Sequence, residues 1–133
     1  MATVLLLLWA SGPFLIPLLS QNSTDQTDWA IGRGRMNTSI IIARGITSTY
    51  STPAASACVA LRTGEKTDWF LPSRNELHAL SQIRGQHGIP NIGVFWSSSQ
   101  NLINLAWSRN FDNVSPGTSN KNGITNVRAV RAF

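Results

Sequence analysis

The stretch Asp68-Trp-Phe-Leu-Pro-Ser-Arg-Asn-Glu-Leu77 carries the clearest local signal of fold in the chain. Its apolar part, Trp69-Phe70-Leu71, is typical of a short buried strand or extended segment, and Pro72 prevents that segment from continuing as a regular ladder. Ser73 and Glu76 have the S-x-x-E spacing of a capping box, which satisfies two free backbone amides at a helix start. The stretch therefore predicts a buried extended segment followed at once by a helix, and it gives Glu76 a structural role.

The residues after this capping box continue the helical pattern. Leu77, Leu80 and Ile83 recur at helical spacing, and Gly85 is placed to end the helix. These apolar side chains are expected to face the core.

Two further helices are predicted upstream. Asn37 is a plausible N-cap for the first, which would bury the run Ile40–Ile42. The second begins at Thr52-Pro53, a cap followed by proline at the first helical position, and Gly64 is expected to stop it. Its apolar positions are Ala54, Ala57, Cys58 and Leu61.

The composition limits the class of protein. A chain of 133 residues is the size of one domain. With 42% hydrophobic and 13% charged residues, it has too little charge for a disordered chain or a coiled coil. A single cysteine, Cys58, excludes an intrachain disulfide framework and a multi-thiolate zinc site. Its apolar neighbours indicate a buried core thiol rather than a nucleophile.

The N-terminal region, residues 1–29, forms an apolar segment followed by a polar connector, and no charged residue precedes Asp25. The run 4–19 is broken by proline and glycine, so a membrane-spanning helix is not expected. Two alternatives remain open. One is a packed strand, from Val4 to Trp9, with a turn at Ser11-Gly12-Pro13; the other is an export signal without the usual basic start.

Several functional classes lack support in the residues. The glycines of 31–35 lack the Gly-Lys-Ser/Thr ending of a phosphate loop, and His78 and His87 have no carboxylate placed to complete a metal site. Basic residues are scattered from Arg33 to Arg131, which does not favour specific nucleic-acid binding despite a net charge of +5. With no catalytic array recognisable, we expect neither an enzyme, nor a cofactor, nor a bound metal.

The last third of the chain differs from the rest in composition. Seven of the eleven asparagines lie between Asn101 and Asn126, interrupted by large apolar residues. Apolar anchors within polar loops are typical of a scaffold that holds exposed side chains in place.

A set of spaced motifs resembles one known family. The motifs are Ile31-Gly-x-Gly-x-x-Asn37-Thr38, Ala54-Ala55-x-x-Cys58, Asp68-Trp-Phe-Leu-Pro-Ser73-x-x-Glu76-Leu77, Phe95-Trp-Ser-Ser-Ser99, Ala106-Trp107, Phe111 and Val127-Arg-x-Val-Arg-x-Phe133. Together they are similar to the Lcl C-terminal domain family, over about residues 30–133. The resemblance implies an α+β, C-type-lectin-like fold, with two helices flanking a small twisted antiparallel sheet and long irregular loops.

Within that family, the segment of about residues 100–126 is similar to the variable region of proteins diversified by retroelements. Such systems mutate template adenines, so asparagine codons become NNC or NNT, which cannot encode Lys, Glu, Gln, Trp or Met. Between residues 101 and 126 only Trp107 and Lys121 are of those types. The expected variable, ligand-binding positions are Asn101, Leu102, Ile103, Asn104, Ser108, Asn110, Asp112, Asn113, Ser115, Ser119, Asn120, Asn122, Ile124, Thr125 and Asn126.

The resemblance implies a binding protein for adhesion or receptor recognition. It would be displayed on a cell surface or virion, or secreted, and would bind a protein or glycan on another cell. An undiversified carbohydrate- or protein-binding module of the same family is the alternative. Asp112 is the only acidic residue after Glu76, so a calcium-dependent lectin is not expected.

The variable positions would form one solvent-facing patch on a fixed scaffold. The scaffold residues are Trp69, Ser73, Glu76, Trp96, Trp107, Phe111, Arg128 and Arg131. Phe133 is expected to be a further core anchor. A charge in an apolar strand needs a partner, so at least one of the two arginines is predicted to pair with Asp68 or Glu76.

Overall fold

A computed structural model describes residues 8–14, 28–48, 52–102, 105–121, 123 and 125–132, with the backbone alone for 8–14 and 45–48. The elements in chain order are β1 (Leu8–Phe14), α1 (Gly34–Ser48), α2 (Pro53–Ala60), a 3₁₀ turn (Thr63–Glu65), α3 (Arg74–Gln82), β2 (Val94–Leu102), β3 (Leu105–Asn110), β4 (Ser115–Asn120) and β5 (Thr125–Ala129). The protein is α+β.

The strands form one sheet in the order β1-β5-β2-β3-β4. β2, β3 and β4 are joined as antiparallel neighbours, and β1 pairs antiparallel with β5. β5 runs parallel to β2, with Asn126 opposite Phe95. The sheet is therefore mixed, which corrects the antiparallel sheet implied by the resemblance. The described residues also contain three α-helices rather than two, in agreement with the three helix starts that the residues themselves indicated.

The N-terminal strand β1 includes the Ser11–Pro13 segment that was expected to turn. The chain stays extended there, and the irregularity is a shift of pairing register between Ala10 and Pro13. Proline cannot donate to a ladder and is tolerated at an edge strand, which is the position β1 occupies.

Two apolar clusters cover opposite faces of the sheet. On one face, Trp96 and Ala106 pack with Ala54 and Cys58 of α2. On the other, Phe95 packs with side chains of α3 and with Phe111 and Val130. We call these the α2 face and the α3 face. Alternate residues of β2 and β3 supply them because successive side chains of a strand point to opposite sides.

Helix α2 starts as predicted, with Thr52 at the N-cap and Pro53 at the first helical position. It ends at Ala60, before the predicted stop, because Leu61 is already extended; Gly64 lies instead in the 3₁₀ turn with φ 66°. Cys58 is buried, and burial raises the pKa of its thiol to about 12, which suits a core residue.

Helix α1 begins at Gly34, so Asn37 is inside it and the N-cap assignment is wrong. The Asn37 side chain is buried and fastens the preceding chain: its Nδ2 donates to the Asp28 carbonyl at 2.7 Å and to Ser98 Oγ at 3.2 Å. The Asp28 N–H donates back to Asn37 Oδ1 at 2.8 Å. Of the predicted buried run, only Ile41 is fully buried.

Helix α3 has the predicted capping box, with Ser73 Oγ accepting from the Glu76 N–H and the Glu76 side chain accepting from the Ser73 N–H. The fully buried Glu76 carboxylate also accepts from the N–H groups of Gly32 and Gly34, at 3.3 and 3.0 Å. It thus occupies the glycine-rich turn before α1 and ties α1 to α3. A side chain at Gly34 would collide with this carboxylate and lie 2.8 Å from the Leu71 carbonyl. The glycine-rich turn is therefore filled by the Glu76 carboxylate.

The C-terminal end of α3 differs in one respect from the prediction. Leu77 and Leu80 are buried, but Ile83 is the C-cap and is 40% exposed. Gly85 follows in the turn with φ 78°.

Candidate ligand-binding surface

The predicted variable positions lie on the β3–β4 hairpin and around its two ends. Trp107 is opposite Thr118 and Ser108 is opposite Gly117, so the hairpin presents alternate residues to the α3 face and the α2 face. Pro116, Thr118 and Asn120 of β4 lie on the α3 face and are exposed. β4 is an edge strand, which leaves its outer side uncovered by other strands of the sheet.

The first group surrounds the β3–β4 turn, and its side chains shape the backbone locally. The Asp112 N–H donates to Asn110 Oδ1 at 2.8 Å, and the Ser115 N–H donates to Asn113 Oδ1 at 3.1 Å. Such side-chain-to-backbone bonds are typical of Asx turns. The Gly93 N–H donates to Asp112 Oδ1 at 2.7 Å and joins the turn to the start of β2. Asp112 and Asn113 are exposed.

Thr125 and Asn126 belong to the same group, since β5 starts beside the start of β2. Asn126 Nδ2 donates to the Val94 carbonyl at 3.0 Å, and Val94 is opposite Asn110. The neighbouring Ile92 is 68% exposed and was not predicted from the sequence. We call this set, Asn110, Asp112, Asn113, Ser115, Thr125 and Asn126, the turn group.

The second group lies at the opposite end of the hairpin. Leu102 is opposite Leu105, which is in turn opposite Asn120. Leu102 is 56% exposed, and Asn101 beside it is half-buried. We call Asn101, Leu102 and Asn120 the strand-end group. A six-residue strand spans about 17 Å, so the two groups are separated by that length of β3. The described positions thus lie in two groups, one at each end of the hairpin, and the single patch stays a prediction.

Among the described predicted positions, only Ser108 is not solvent-facing. Ser108 is buried on the α2 face, and its hydroxyl lies 3.0 Å from that of half-buried Ser119. Ser108 is opposite Trp96, the centre of the α2-face cluster, which explains its burial. The predicted positions Ile103, Asn104, Asn122 and Ile124, and the expected anchor Phe133, lie outside the described residues.

The predicted scaffold residues are packed, with Trp69, Ser73, Glu76, Trp96, Phe111 and Arg128 buried and Trp107 and Arg131 half-buried. The predicted ion pair is present: Arg131 donates from Nε and Nη2 to the two Asp68 carboxylate oxygens at 2.7 and 3.1 Å. These bonds lower the pKa of Asp68 and raise the pKa of Arg131. Arg128 donates instead to the Gly88 carbonyl at 2.7 Å.

Lys121 is fully buried directly after β4, and its ammonium donates to Gln100 Oε1 at 2.8 Å. A buried lysine needs such a partner because removal from water penalises its charge. The contact fastens the end of β4 to β2.

Three serines of β2 fix the chain beneath the hairpin. Ser97 Oγ donates to the Trp107 carbonyl at 2.7 Å, which holds β2 against β3. Ser99 Oγ donates to the Asp28 carbonyl and accepts from the Arg74 N–H, at 2.7 and 2.9 Å. These hydroxyls, like Ser98, are buried and hydrogen-bonded, so they belong to the scaffold rather than to the exposed surface.

An aromatic cluster on the α3 face was not predicted as a unit. The Arg74 guanidinium carbon lies 4.3 Å from the ring centroid of Trp29 and 4.1 Å from that of Trp107. The two indoles meet edge to face, with centroids 5.5 Å apart. We call these three residues the Trp29–Arg74–Trp107 cluster. No sequence signal joins them, because they are brought together only when α3 packs on β3 and the segment before α1 packs on α3. Pro116 and Thr118, exposed beside it, were not singled out, because Ser115–Asn120 has no apolar alternation that would indicate a strand.

No group of three His, Cys, Asp or Glu side chains suited to a metal ion occurs among the described residues. His78 and His87 are both exposed. In the same part of the chain, no helix combines the length and apolar character needed to cross a bilayer.

No family model matches the chain, and no curated protein matches it at a significant level.

Proposed function

We propose that this chain is a non-enzymatic ligand-binding protein with a C-type-lectin-like scaffold, whose hairpin surface is diversified by a retroelement. It would act in adhesion or receptor recognition, from a cell surface, from a virion or after secretion, on a protein or glycan of another cell. The proposal draws on the motif resemblance together with the placement of the Asn-rich segment.

The observation that carries the proposal is the division within segment 101–126. Trp107 and Lys121, which adenine mutagenesis of asparagine codons cannot create, make packed contacts with α3 and β2 respectively. Leu102, Asp112 and Asn113 are exposed side chains on strand ends and a turn. Exposed positions tolerate replacement far better than packed ones, so this division suits a surface that varies on a fixed support.

The chemistry of the exposed side chains also suits recognition. Asn, Ser and Thr offer adaptable hydrogen bonds, as they do in antibody loops. Among the described residues, the exposed aliphatic residue Ile92 lies beside the turn group, and the exposed Leu102 belongs to the strand-end group. Apolar contact surrounded by polar groups is the composition of protein recognition surfaces.

The local hydrogen bonds restrict which positions are free to vary. Asn110, Asp112 and Asn113 accept backbone hydrogen bonds that shape the β3–β4 turn. Thr118 makes no such bond, although it was not among the predicted variable positions. Substitution is therefore expected to be tolerated best at Leu102 and Thr118, and least at Ser108.

The test of diversification is the nucleotide sequence. Codons 100–126 should be of the NNC or NNT type at the exposed positions, and a nearby template copy should differ from this segment only at adenines. A gene without such codons and without a template would contradict diversification, and the undiversified binding module would then be the better proposal.

A further inference from the structure

We propose that the Trp29–Arg74–Trp107 cluster is a fixed subsite for the carboxylate of an acidic sugar, beside the variable hairpin surface. The inference deepens the proposed function, since it names the ligand class of that surface and rests on the chain being a binding protein. It is carried by the cluster's unpaired charge, its accessible donors and its aromatic surface.

The positive charge at the cluster is not neutralised within the described residues. The ion pairs in that part of the chain use Asp28 and Asp68, and none includes Arg74 or Arg109. Arg109 lies on the same face of β3 as Trp107 and is 6% exposed. Burial and the neighbouring Arg74 charge lower the pKa of Arg109, so the two guanidinium groups are electrostatically coupled. An anion placed here would relieve that repulsion.

The donors of Arg74 are divided between the interior and the surface. Its Nε is buried without a hydrogen-bond acceptor, as is the indole Nε1 of Trp107. Its terminal nitrogens have no acceptor in the described chain, yet they are not enclosed, because the side chain is half-buried. The two indoles hold the guanidinium in place, and a guanidinium fixed with its terminal N–H groups outward matches a carboxylate in geometry and charge.

The residues around the cluster favour an acidic sugar over other ligands that carry a carboxylate. Trp29 is 44% exposed and offers aromatic surface on which the C–H face of a sugar ring can lie. Thr118, opposite Trp107, and the nearby Asn120 offer hydrogen bonds to sugar hydroxyls. Trp29 is itself fixed, because its carbonyl accepts from the Asn75 N–H at 2.9 Å. A fixed site for the ligand's carboxylate would contribute the same affinity in every variant of the protein. The replaceable polar residues beside it would change which sugar is bound.

The test is a titration of ¹⁵N-labelled protein with 3′-sialyllactose and with tri-galacturonic acid, using lactose as the neutral control. We expect both acidic sugars to shift the indole N–H signals of Trp29 and Trp107 and the Nε–H signal of Arg74. A dissociation constant of about 1 mM is expected for a site with so few contacts. Lactose should leave these signals in place at the same concentrations.

Variants separate a binding role from a packing role. Arg74→Gln should weaken acidic-sugar binding about tenfold or more, because it removes a charge-assisted hydrogen bond. Arg62→Gln changes the net charge equally at an exposed site remote in sequence and should leave binding unchanged. If Arg74→Gln fails to fold, the titration of the unaltered protein decides the matter alone.

Three results would overturn the inference: no shift with either acidic sugar, equal shifts with lactose, or unchanged binding by folded Arg74→Gln. A triglutamate peptide that shifts these signals when the sugars do not would assign the cluster to acidic peptides and would also overturn it. The failure is distinguishable from failure of the proposed function, because the codons and the template copy are read independently of any sugar.

Discussion

Thr38 and Thr118 are both threonines, but they lie in opposite environments. Thr38 is buried in α1, where its hydroxyl donates to the Gly34 carbonyl at 2.7 Å and accepts from the Leu71 N–H at 3.0 Å. Thr118 is exposed on edge strand β4. The region around α1 and α3 uses polar side chains to join separate elements, whereas the hairpin presents them to solvent. Composition does not distinguish these uses, but burial and partners do.

The joining region depends most on Glu76, so this residue gives the largest expected effect. Glu76→Ala would leave the N–H groups of Gly32, Gly34 and Ser73 without their acceptor. Gly34 and Ser73 are buried, whereas Gly32 is exposed. Each buried unsatisfied group costs about 1–3 kcal/mol, so the free energy of unfolding should fall by about 2–6 kcal/mol, or the chain should fail to fold.

Urea denaturation measures this loss, with Glu65→Ala as the matched control because Glu65 is exposed. A Glu76→Ala protein as stable as the Glu65→Ala protein would show that the carboxylate does not hold α1 to α3.

The comparison of the two threonines is sharpest with one substitution at both sites. Thr38→Val keeps the side-chain shape but leaves the Leu71 N–H without its hydroxyl acceptor, which should cost about 1–3 kcal/mol of unfolding free energy. Thr118→Val should change it by less than about 0.5 kcal/mol, as expected of an exposed site. Thermal or urea unfolding of the pair gives both values, and equal losses would remove the distinction between the two regions.

The Asp68–Arg131 ion pair should have a smaller, pH-dependent effect. Arg131 holds the pKa of Asp68 below its ordinary 3.8, so the unfolded chain binds the proton more readily than the folded one. The pair's stabilisation is therefore complete above about pH 5, and it is lost as the pH falls through the folded pKa.

Asp68→Asn should lower the free energy of unfolding modestly at pH 7, by an amount typical of partly exposed ion pairs. It should also make the fall in unfolding free energy between pH 5 and pH 3 shallower. Unfolding curves across that pH range check this. If the pH dependence of unfolding were the same in Asp68→Asn as in the unaltered protein, the loss of stability in acid would not come from Asp68.

Local signals were the predictable part of the fold. The Ser73–Glu76 capping box and the Thr52-Pro53 helix start involve residues within one turn, so the sequence contained their geometry. Asn37 was misassigned because asparagine suits both an N-cap and a buried hydrogen-bonding position. Its partners, Asp28 and Ser98, are distant in sequence and become neighbours only after folding.

The candidate surface was predictable in composition but not in arrangement. The Asn-rich segment indicated exposed positions, and Asp112 and Asn113 are indeed exposed. Ser108 was placed with them because serine suits either environment, and only its position opposite Trp96 decides that it is buried. The contact of Arg74 with two tryptophans depends on tertiary packing, which no local pattern encodes.

The most direct test of the central claim is a pair of libraries built with NNC codons and sorted for folded protein. One library varies the exposed residues Leu102, Pro116 and Thr118; the other varies the buried residues Thr38, Ser98 and Ser99. We predict that most members of the first library remain folded, and that most members of the second lose protease resistance because buried hydrogen bonds are broken. Equal loss of folded protein in the two libraries would contradict a replaceable binding surface on a fixed scaffold.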